Sequence, residues 1–127
     1  MAVLNRFTTE ATEDSPGIVL DHEKGFIRFS GRSIPNDADK IYGPVIFWMK
    51  QYITQPAQLT TLECELDYFN TSSQKYLADV FKMVNRLYLD GKAVQCIWMY
   101  KDDDEDMMHI GEQFEYLLDF KITFVAI

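Results

Sequence analysis

The chain has 127 residues, 47% of them hydrophobic, which is enough for one ordinary domain with a core that needs no metal or disulfide. Its 20 acidic residues outnumber 12 basic ones and give a formal net charge of −8, which disfavours binding to nucleic acid or anionic lipid because both require neutralisation of phosphate. No apolar run is long enough to cross a bilayer or to act as a secretion signal. We therefore expect a single domain over residues 1–127, in the cytoplasm, with proteins as partners.

The predicted elements begin with a hairpin. Residues 1–15 show no clear pattern and are expected to be loosely held, whereas two β-rich runs around a Gly-containing turn predict a hairpin over 17–31. Apolar residues spaced three and four apart then predict an amphipathic helix over 38–54, and its start is marked by Pro35 and Asn36.

Residues 59–69 change to a period of two, which predicts a half-buried strand. One face carries Leu62, Cys64, Leu66 and Tyr68, and the other carries Glu63, Glu65 and Asp67. Because the second face is acidic, we expect one face of the sheet to be at least partly solvated and the helices to cover mainly the other. Phe69 falls in phase with the acidic face, which makes it a candidate exposed anchor for a partner.

The remaining chain alternates between helix and strand. A helical pattern starts at Thr71 and ends at "LDGK", and it is followed by the strand "AVQCIWMY", a helix near 104–118 and a last strand, "KITFVAI". The order ββαβαβαβ predicts an α/β fold in which three helices cross over between parallel strands of a mixed sheet with about five strands.

The two cysteines, Cys64 and Cys96, each lie within a predicted strand and have apolar neighbours two positions away. This pattern is typical of small buried side chains in a reducing compartment, and a disulfide between them is the less favoured alternative.

Three hydroxyl residues, Thr71, Ser72 and Ser73, follow Asn70 where the strand over 59–69 meets the next helix. Loops at the carboxyl ends of strands are the usual binding sites of open α/β sheets. One interpretation is helix capping, since Asn, Ser and Thr accept hydrogen bonds from the free N–H groups of a first turn. The other is phosphorylation of Thr71, because the positive end of a helix suits a phosphate of about −1.5 to −2 charges without unfolding the domain.

Three segments carry a resemblance to a known family: "GRSIPNDADKIYGPVIFW", "LDYFNTSSQKYLADVFKMV" and "YKDDDEDMMHIGEQFE". Together they resemble the SiaC family of bacterial regulatory phosphoproteins over nearly the whole chain. That family is similar in fold to STAS domains, the anti-sigma-factor antagonists in which a kinase phosphorylates a Ser or Thr at a helix start. The resemblance implies that Thr71 is the phosphoacceptor and that Asn70 replaces the usual acidic residue before it. The Gly that follows the serines of STAS domains is absent.

The resemblance implies a partner switch without a cofactor. A kinase phosphorylates the protein, a PP2C-type phosphatase restores it, and the unmodified form binds and activates a diguanylate cyclase that controls biofilm formation or aggregation. We assign to the partner-binding surface Phe69, Asn70, Thr71, Ser72, Ser73 and Lys75, together with Arg32 and Ser33. Arg32 and Ser33 belong either to a plain loop before a helix or to the surroundings of the phosphosite, where Arg32 would help a partner to read the phosphate.

Two other classes of function stay open. A small acidic enzyme would use Asp67, Asp102 or His109 and would show a concave pocket with convergent titratable groups. An unmodified adaptor would show a flat surface near residues 69–79. We expect no metal site, because the acidic run 102–106 lacks the Gly and Glu of an EF-hand loop and His109 has no second ligand in the sequence pattern.

Overall fold

The structure, a computed structural model, describes residues 3–127, so the first two residues of the predicted domain and of its N-terminal segment lie outside it. The strands are β1 (Phe7–Thr9), β2 (Gly17–Asp21), β3 (Phe26–Ser33), β4 (Leu59–Phe69), β5 (Ala93–Tyr100) and β6 (Thr123–Ala126). The helices are α1 (Ala38–Tyr52), α2 (Thr71–Leu89) and α3 (Glu105–Glu115). The α/β class and the three helices are therefore confirmed.

Within residues 3–127 the sheet has six strands rather than about five. The additional strand is β1, which comes from the segment for which the sequence predicts no secondary structure. Three residues are too few to show a period of two, and β1 exists because it pairs with β2 in antiparallel register, Phe7 opposite Leu20 and Thr9 opposite Ile18. The expectation that residues 1–15 as a whole are loosely held stays a prediction.

The strands lie in chain order across the sheet. β1, β2 and β3 pair antiparallel, and β3 to β6 pair parallel. Each of the three helices connects a strand to the next parallel strand in the same direction across the sheet. Because such crossovers are right-handed, all three helices lie on the same face. Buried side chains of the strands point to that face, among them Ile18, Leu20, Ile27, Phe29, Leu62, Cys64 and Trp98. The prediction that the helices cover mainly one side is confirmed.

The other face of the sheet, which we call the helix-free face, carries the acidic side chains of β4. Arg28 of β3 donates hydrogen bonds to Glu63 and, at 2.7 Å, to Oε1 of Glu65. Lys101 Nζ lies 3.6 Å from Oδ1 of Asp67. The carboxylates predicted on the solvated side are thus present there, and basic side chains of neighbouring segments compensate them.

A tight turn sets the position of β3 beside β4. Gly25 lies in the turn before β3 with a φ of 62°, and a Cβ on it would come within 2.2 Å of the carbonyl oxygen of Leu59. The Gly25 carbonyl instead accepts a hydrogen bond of 2.7 Å from the N–H of Thr61. A side chain at this position would break the contact that starts the parallel pairing.

A β-bulge interrupts β4 near its carboxyl end. Gly31 of β3 pairs with Leu66, and the next residue, Arg32, pairs with Tyr68, so Asp67 is the extra residue. The alternation of faces reverses there: Tyr68 is 53% exposed and Phe69 is 8% exposed. The predictions for Tyr68 and Phe69 are therefore wrong, because a period-two count cannot register an inserted residue.

Phe69 packs inside the core instead of serving as an exposed anchor. Its ring lies 6.4 Å from that of Trp98 and 6.2 Å from that of Phe114, measured between centroids. Trp98 donates a hydrogen bond of 3.0 Å to the carbonyl of Met107 in α3, which ties this aromatic cluster to the helix above it.

The cysteines behave as predicted. Cys64 and Cys96 are buried and free. Burial raises the pKa of the Cys64 thiol well above its ordinary value and that of Cys96 to about 12, so both thiols are protonated and unreactive at neutral pH.

Candidate functional site

The three helices start at the same edge of the sheet, which we call the carboxyl edge (residues 34–38, 70–71 and 101–105, after β3, β4 and β5). At its centre β4 turns directly into α2 through Asn70. The side-chain oxygen of Asn70 accepts a hydrogen bond of 3.0 Å from the N–H of Ser73, and its carbonyl accepts one from Gln74. Asn70 is thus the N-cap of α2, and capping is confirmed for this one residue.

The three hydroxyl residues after the cap have different surroundings. Ser73 is fully buried, and its hydroxyl donates a hydrogen bond of 3.0 Å to the carbonyl of Ser33. Ser72 is exposed, but its hydroxyl donates to the capping oxygen of Asn70 at 3.1 Å. Thr71 is exposed and stands outside these hydrogen bonds. A modifying enzyme would therefore reach Thr71 most easily, Ser72 next, and Ser73 only after unfolding.

A buried hydroxyl cluster lies beneath the start of α2. The Ser33 hydroxyl donates to Ser73 Oγ at 2.8 Å and lies 2.6 Å from the hydroxyl of Tyr42 in α1. Burial raises the pKa of Tyr42 to about 12. Ser33 and Ser73 were both assigned to the partner-binding surface, and this assignment is wrong because both side chains are fully buried; they join β3, α1 and α2 instead.

The basic residues assigned to the site lie in different places. The N–H of Asn70 donates to the Ser33 carbonyl at 3.0 Å, so the end of β3 does lie beside the start of α2. The exposed Arg32 side chain, however, donates through Nε to the carbonyl of Glu13 at 3.2 Å and is thereby engaged with the loop between β1 and β2. Lys75 is exposed on α2 four residues after Thr71, which is the spacing of neighbours on a helix surface.

The electrostatic environment of the α2 start differs from that of the other two helices. The first turn of α1 contains Asp39 and that of α3 contains Glu105 and Asp106, whereas the first turn of α2 contains no acidic residue. Carboxylates in a first turn offset the partial positive charge of the helix end. In α2 that charge has no such partner on its own helix, so the end is open to an added anion.

Two tyrosines connect the starts of α1 and α2. The rings of Tyr42 and Tyr76 are stacked with centroids 5.4 Å apart. The Tyr76 hydroxyl donates a hydrogen bond of 3.0 Å to Oδ1 of Asp39, and this bond raises the pKa of Tyr76. Asp39 of α1 is thus held against the side of α2 by its hydrogen bond with Tyr76, which lies five residues after Thr71.

Two of the residues considered for an enzyme, Asp67 and His109, form separate pairs with other side chains. His109 Nδ1 lies 2.8 Å from Oε1 of Glu112, on the exposed surface of α3, and Asp67 pairs with Lys101. Between residues 3 and 127, no three His, Cys, Asp or Glu side chains are arranged to hold a metal ion. In the same part of the chain, no helix combines the length and the apolar character required to span a membrane.

Open α/β sheets usually meet ligands and partners at the carboxyl ends of their strands, and here that edge presents exposed hydroxyl side chains at the start of α2. Residues 9–127 match the family model described as SiaC family regulatory phosphoprotein, and the chain belongs to this family. The family recognised from the sequence motifs is therefore confirmed. The protein is a regulatory protein, and the alternative of an enzyme using Asp67, Asp102 or His109 is wrong.

Solved structures from Pseudomonas aeruginosa resemble this fold along nearly their whole length. The chain is similar to apo-SiaC, with a TM-score of 0.88 and 24% identity over 97% of this chain and 100% of that one. It is also similar, with a TM-score of 0.90 and 25% identity over 95% and 99% of the two chains, to a structure of the diguanylate cyclase SiaD in complex with its activator SiaC. An uncharacterized protein from Pseudomonas aeruginosa strain UCBPP-PA14 is 27% identical over 103 residues, which are 81% of this chain and 82% of that protein.

Proposed function

We propose that this protein binds and activates a diguanylate cyclase in the cytoplasm while Thr71 is unmodified. A cognate kinase phosphorylates Thr71 and thereby ends the interaction, and a PP2C-type phosphatase restores it, in the manner of partner-switching STAS domains. Membership of a regulatory phosphoprotein family supports a switch by phosphorylation. The related SiaC, which is the activator of a diguanylate cyclase, supports the choice of partner.

The exposed position of Thr71 at the start of α2 is the observation that carries the proposal. A phosphate there adds about −1.5 to −2 charges and three acceptor oxygens. The first turn of α2 has no carboxylate of its own, and an anion at a helix start is worth about 0.3–1 kcal/mol of stabilisation. The modified protein should thus keep its fold, so the phosphate acts on the surface that a partner sees.

The partner distinguishes the two forms through the cost of removing water from the phosphate. A charged group placed in an interface without a compensating partner costs several kcal/mol. A differential affinity of about 5.5 kcal/mol moves a two-state system from 1:99 to 99:1, so one poorly matched phosphate supplies a large share of a switch. Lys75 is one turn from Thr71 and is placed to pair with the phosphate, which would also remove the Lys75 ammonium from a partner's reach.

Mass analysis of the protein from its native host tests the modification. Intact-mass and fragment spectra should show one phosphate on Thr71 in part of the population. A chain whose Thr71 is always unmodified in growing cells would leave an unmodified adaptor as the better description.

Cyclase activity tests the consequence. Thr71→Ala should stimulate cyclic-di-GMP synthesis by the host's diguanylate cyclase as the unmodified protein does, and protein phosphorylated at Thr71 should not. Thr71→Asp should be intermediate, because a carboxylate carries about half the charge of the phosphate. Ser72→Ala is the matched control and should leave the effect of phosphorylation unchanged. Equal stimulation by the phosphorylated and unmodified proteins would contradict the proposal.

A further inference from the structure

We propose that Tyr68 is the aromatic anchor of the cyclase-binding surface and that it inserts into an apolar pocket of the cyclase. This inference rests on the proposed function and names the contact through which the cyclase is held. Tyr68 takes the role of exposed anchor that the sequence pattern gave to Phe69, the next residue in the chain, which is part of the core.

The β-bulge at Asp67 is what exposes this ring. Without the extra residue, position 68 would continue the buried series of Leu62, Cys64 and Leu66, as the period of two predicts. With it, Tyr68 points to the helix-free face and is 53% exposed. Bulges occur preferentially next to functional sites, where they redirect a side chain. The one irregularity of β4 therefore serves to present a tyrosine three residues before Thr71.

The surroundings of Tyr68 favour an uncharged pocket over a basic groove. Three cations lie with the three carboxylates of β4 on the helix-free face: Arg28, Lys101, and Arg32, which is the register partner of Tyr68. The formal charges around Tyr68 therefore add up to about zero. The whole chain carries −8. A partner that recognised the overall negative charge would bind at another part of the surface. Around Tyr68 the charges compensate one another, so a partner can remove water from this aromatic ring at little electrostatic cost.

The position of Tyr68 also explains how the cyclase would detect a phosphate. Three peptide units separate residues 68 and 71, so their Cα atoms are at most about 11 Å apart. A cyclase pocket closed over the Tyr68 ring would cover or border the phosphate on Thr71. The dianion would then lose water, and pairing with Lys75 alone would offset only part of that cost, so the Tyr68 ring could not enter its pocket.

Other exposed aromatic side chains lie away from the carboxyl edge. Tyr88 lies in the last turn of α2 and Tyr116 follows α3, at the opposite edge of the sheet, and Phe47 is in the middle of α1. Tyr116 is 89% exposed and is more accessible than Tyr68, which makes it a matched control. If exposure alone determined binding, replacing Tyr116 would have the larger effect.

Binding to purified diguanylate cyclases of the native host tests the inference, with unphosphorylated protein and calorimetric or surface-plasmon detection. Tyr68→Ala should weaken binding by about 30-fold or more, as expected for a hot-spot residue, and Tyr68→Phe should remain within about 3-fold of the parent. Tyr116→Ala should bind as the parent does. Hydroxyl-radical footprinting of the parent complex should show protection of Tyr68 and none of Tyr116.

The possible results distinguish the role of Tyr68 as anchor from the role of Thr71 as switch. Parent-like binding by Tyr68→Ala, or an unprotected Tyr68 in the complex, overturns the anchor even if phosphorylation of Thr71 abolishes binding. Weak binding by Tyr68→Ala together with equal binding of phosphorylated and unmodified parent supports the anchor and removes the switch. If the parent binds no diguanylate cyclase of its host, both the anchor and the proposed function are wrong.

Discussion

At the scale of single residues, neighbouring side chains at the start of α2 have different structural roles. Asn70 caps the helix, Ser73 joins the buried hydroxyl cluster, and Thr71 takes part in neither role. The fold therefore does not depend on the Thr71 hydroxyl, as the proposed cycle of phosphorylation and dephosphorylation requires. The sequence could indicate the run of hydroxyl residues, but it could not tell which was buried, because Ser33, the partner of Ser73, is 40 positions away.

Stability measurements can distinguish the cap, Asn70, from the proposed phosphoacceptor, Thr71. Asn70→Ala should lower the free energy of unfolding by about 1 kcal/mol, since the N–H of Ser73 loses its acceptor. Thr71→Ala should change it by less than about 0.5 kcal/mol, as an exposed substitution does. Urea denaturation of both variants gives the comparison. A loss at Thr71 as large as that at Asn70 would show that the hydroxyl has a structural role.

Within the buried hydroxyl cluster, Ser73→Ala should lower the free energy of unfolding by about 1–3 kcal/mol, because the buried carbonyl and hydroxyl of Ser33 each lose a hydrogen bond. Ser72→Ala, a change of the same size on the exposed neighbour, should be nearly silent. Thermal unfolding of the two variants measures this difference. Similar melting temperatures would contradict the burial of Ser73.

At the scale of elements, the long periodic segments were predicted well and the irregular features were not. β4 and the start of α2 lie where the sequence predicts them, whereas α3 ends at Glu115, before the predicted residue 118. Helix ends are set by local hydrogen bonds that periodicity does not report. The bulge in β4 was missed for a related reason: Leu66, Tyr68 and Phe69 are all hydrophobic, so the pattern fits either phase.

The bulge predicts that replacing Tyr68 and replacing Phe69 have very different effects on stability. Phe69→Ala should destabilise the protein by about 3 kcal/mol, because it leaves a cavity between Trp98 and Phe114. Tyr68→Ala should cost less than about 0.5 kcal/mol, because that ring is on the surface. Denaturant midpoints of the two variants provide the measurement. The reverse order of effects would place the inserted residue elsewhere in β4.

At the scale of the whole molecule, the sequence was sufficient for the α/β class, the order of the larger elements and the one-sided placement of the helices. It was not sufficient for β1, whose three residues become a strand only through pairing with β2. The burial of groups that ionise at high pH is likewise a property of the assembled fold, since Tyr42, Cys64 and Cys96 come from α1, β4 and β5.

That burial predicts a loss of stability in alkali. Folding raises the pKa of Cys96 to about 12, that of Tyr42 to about 12, and that of Cys64 above its ordinary value, so the folded protein keeps protons that the unfolded chain releases. Stability is full below the unfolded thiol pKa of about 8.5 and falls as pH rises towards the folded pKa values. Urea midpoints measured from pH 7.5 to 10 should therefore decrease.

The matched control for the alkaline effect is the double variant Cys64→Ala with Cys96→Ala. Its stability at pH 7.5 should be lower, since two buried side chains are shortened, but its decline between pH 8.5 and 10 should be shallower. A parent protein with the same urea midpoint at pH 7.5 and at pH 10 would contradict the burial of the thiols.

The most direct test of the central claim is the affinity of one diguanylate cyclase from the native host for the same protein with and without a phosphate on Thr71. Both forms should show the same circular dichroism spectrum, so that any difference arises at the surface. The unmodified form should bind at least about 100-fold more tightly than the phosphorylated form. Equal affinities for the two forms would contradict a role of Thr71 as the switch.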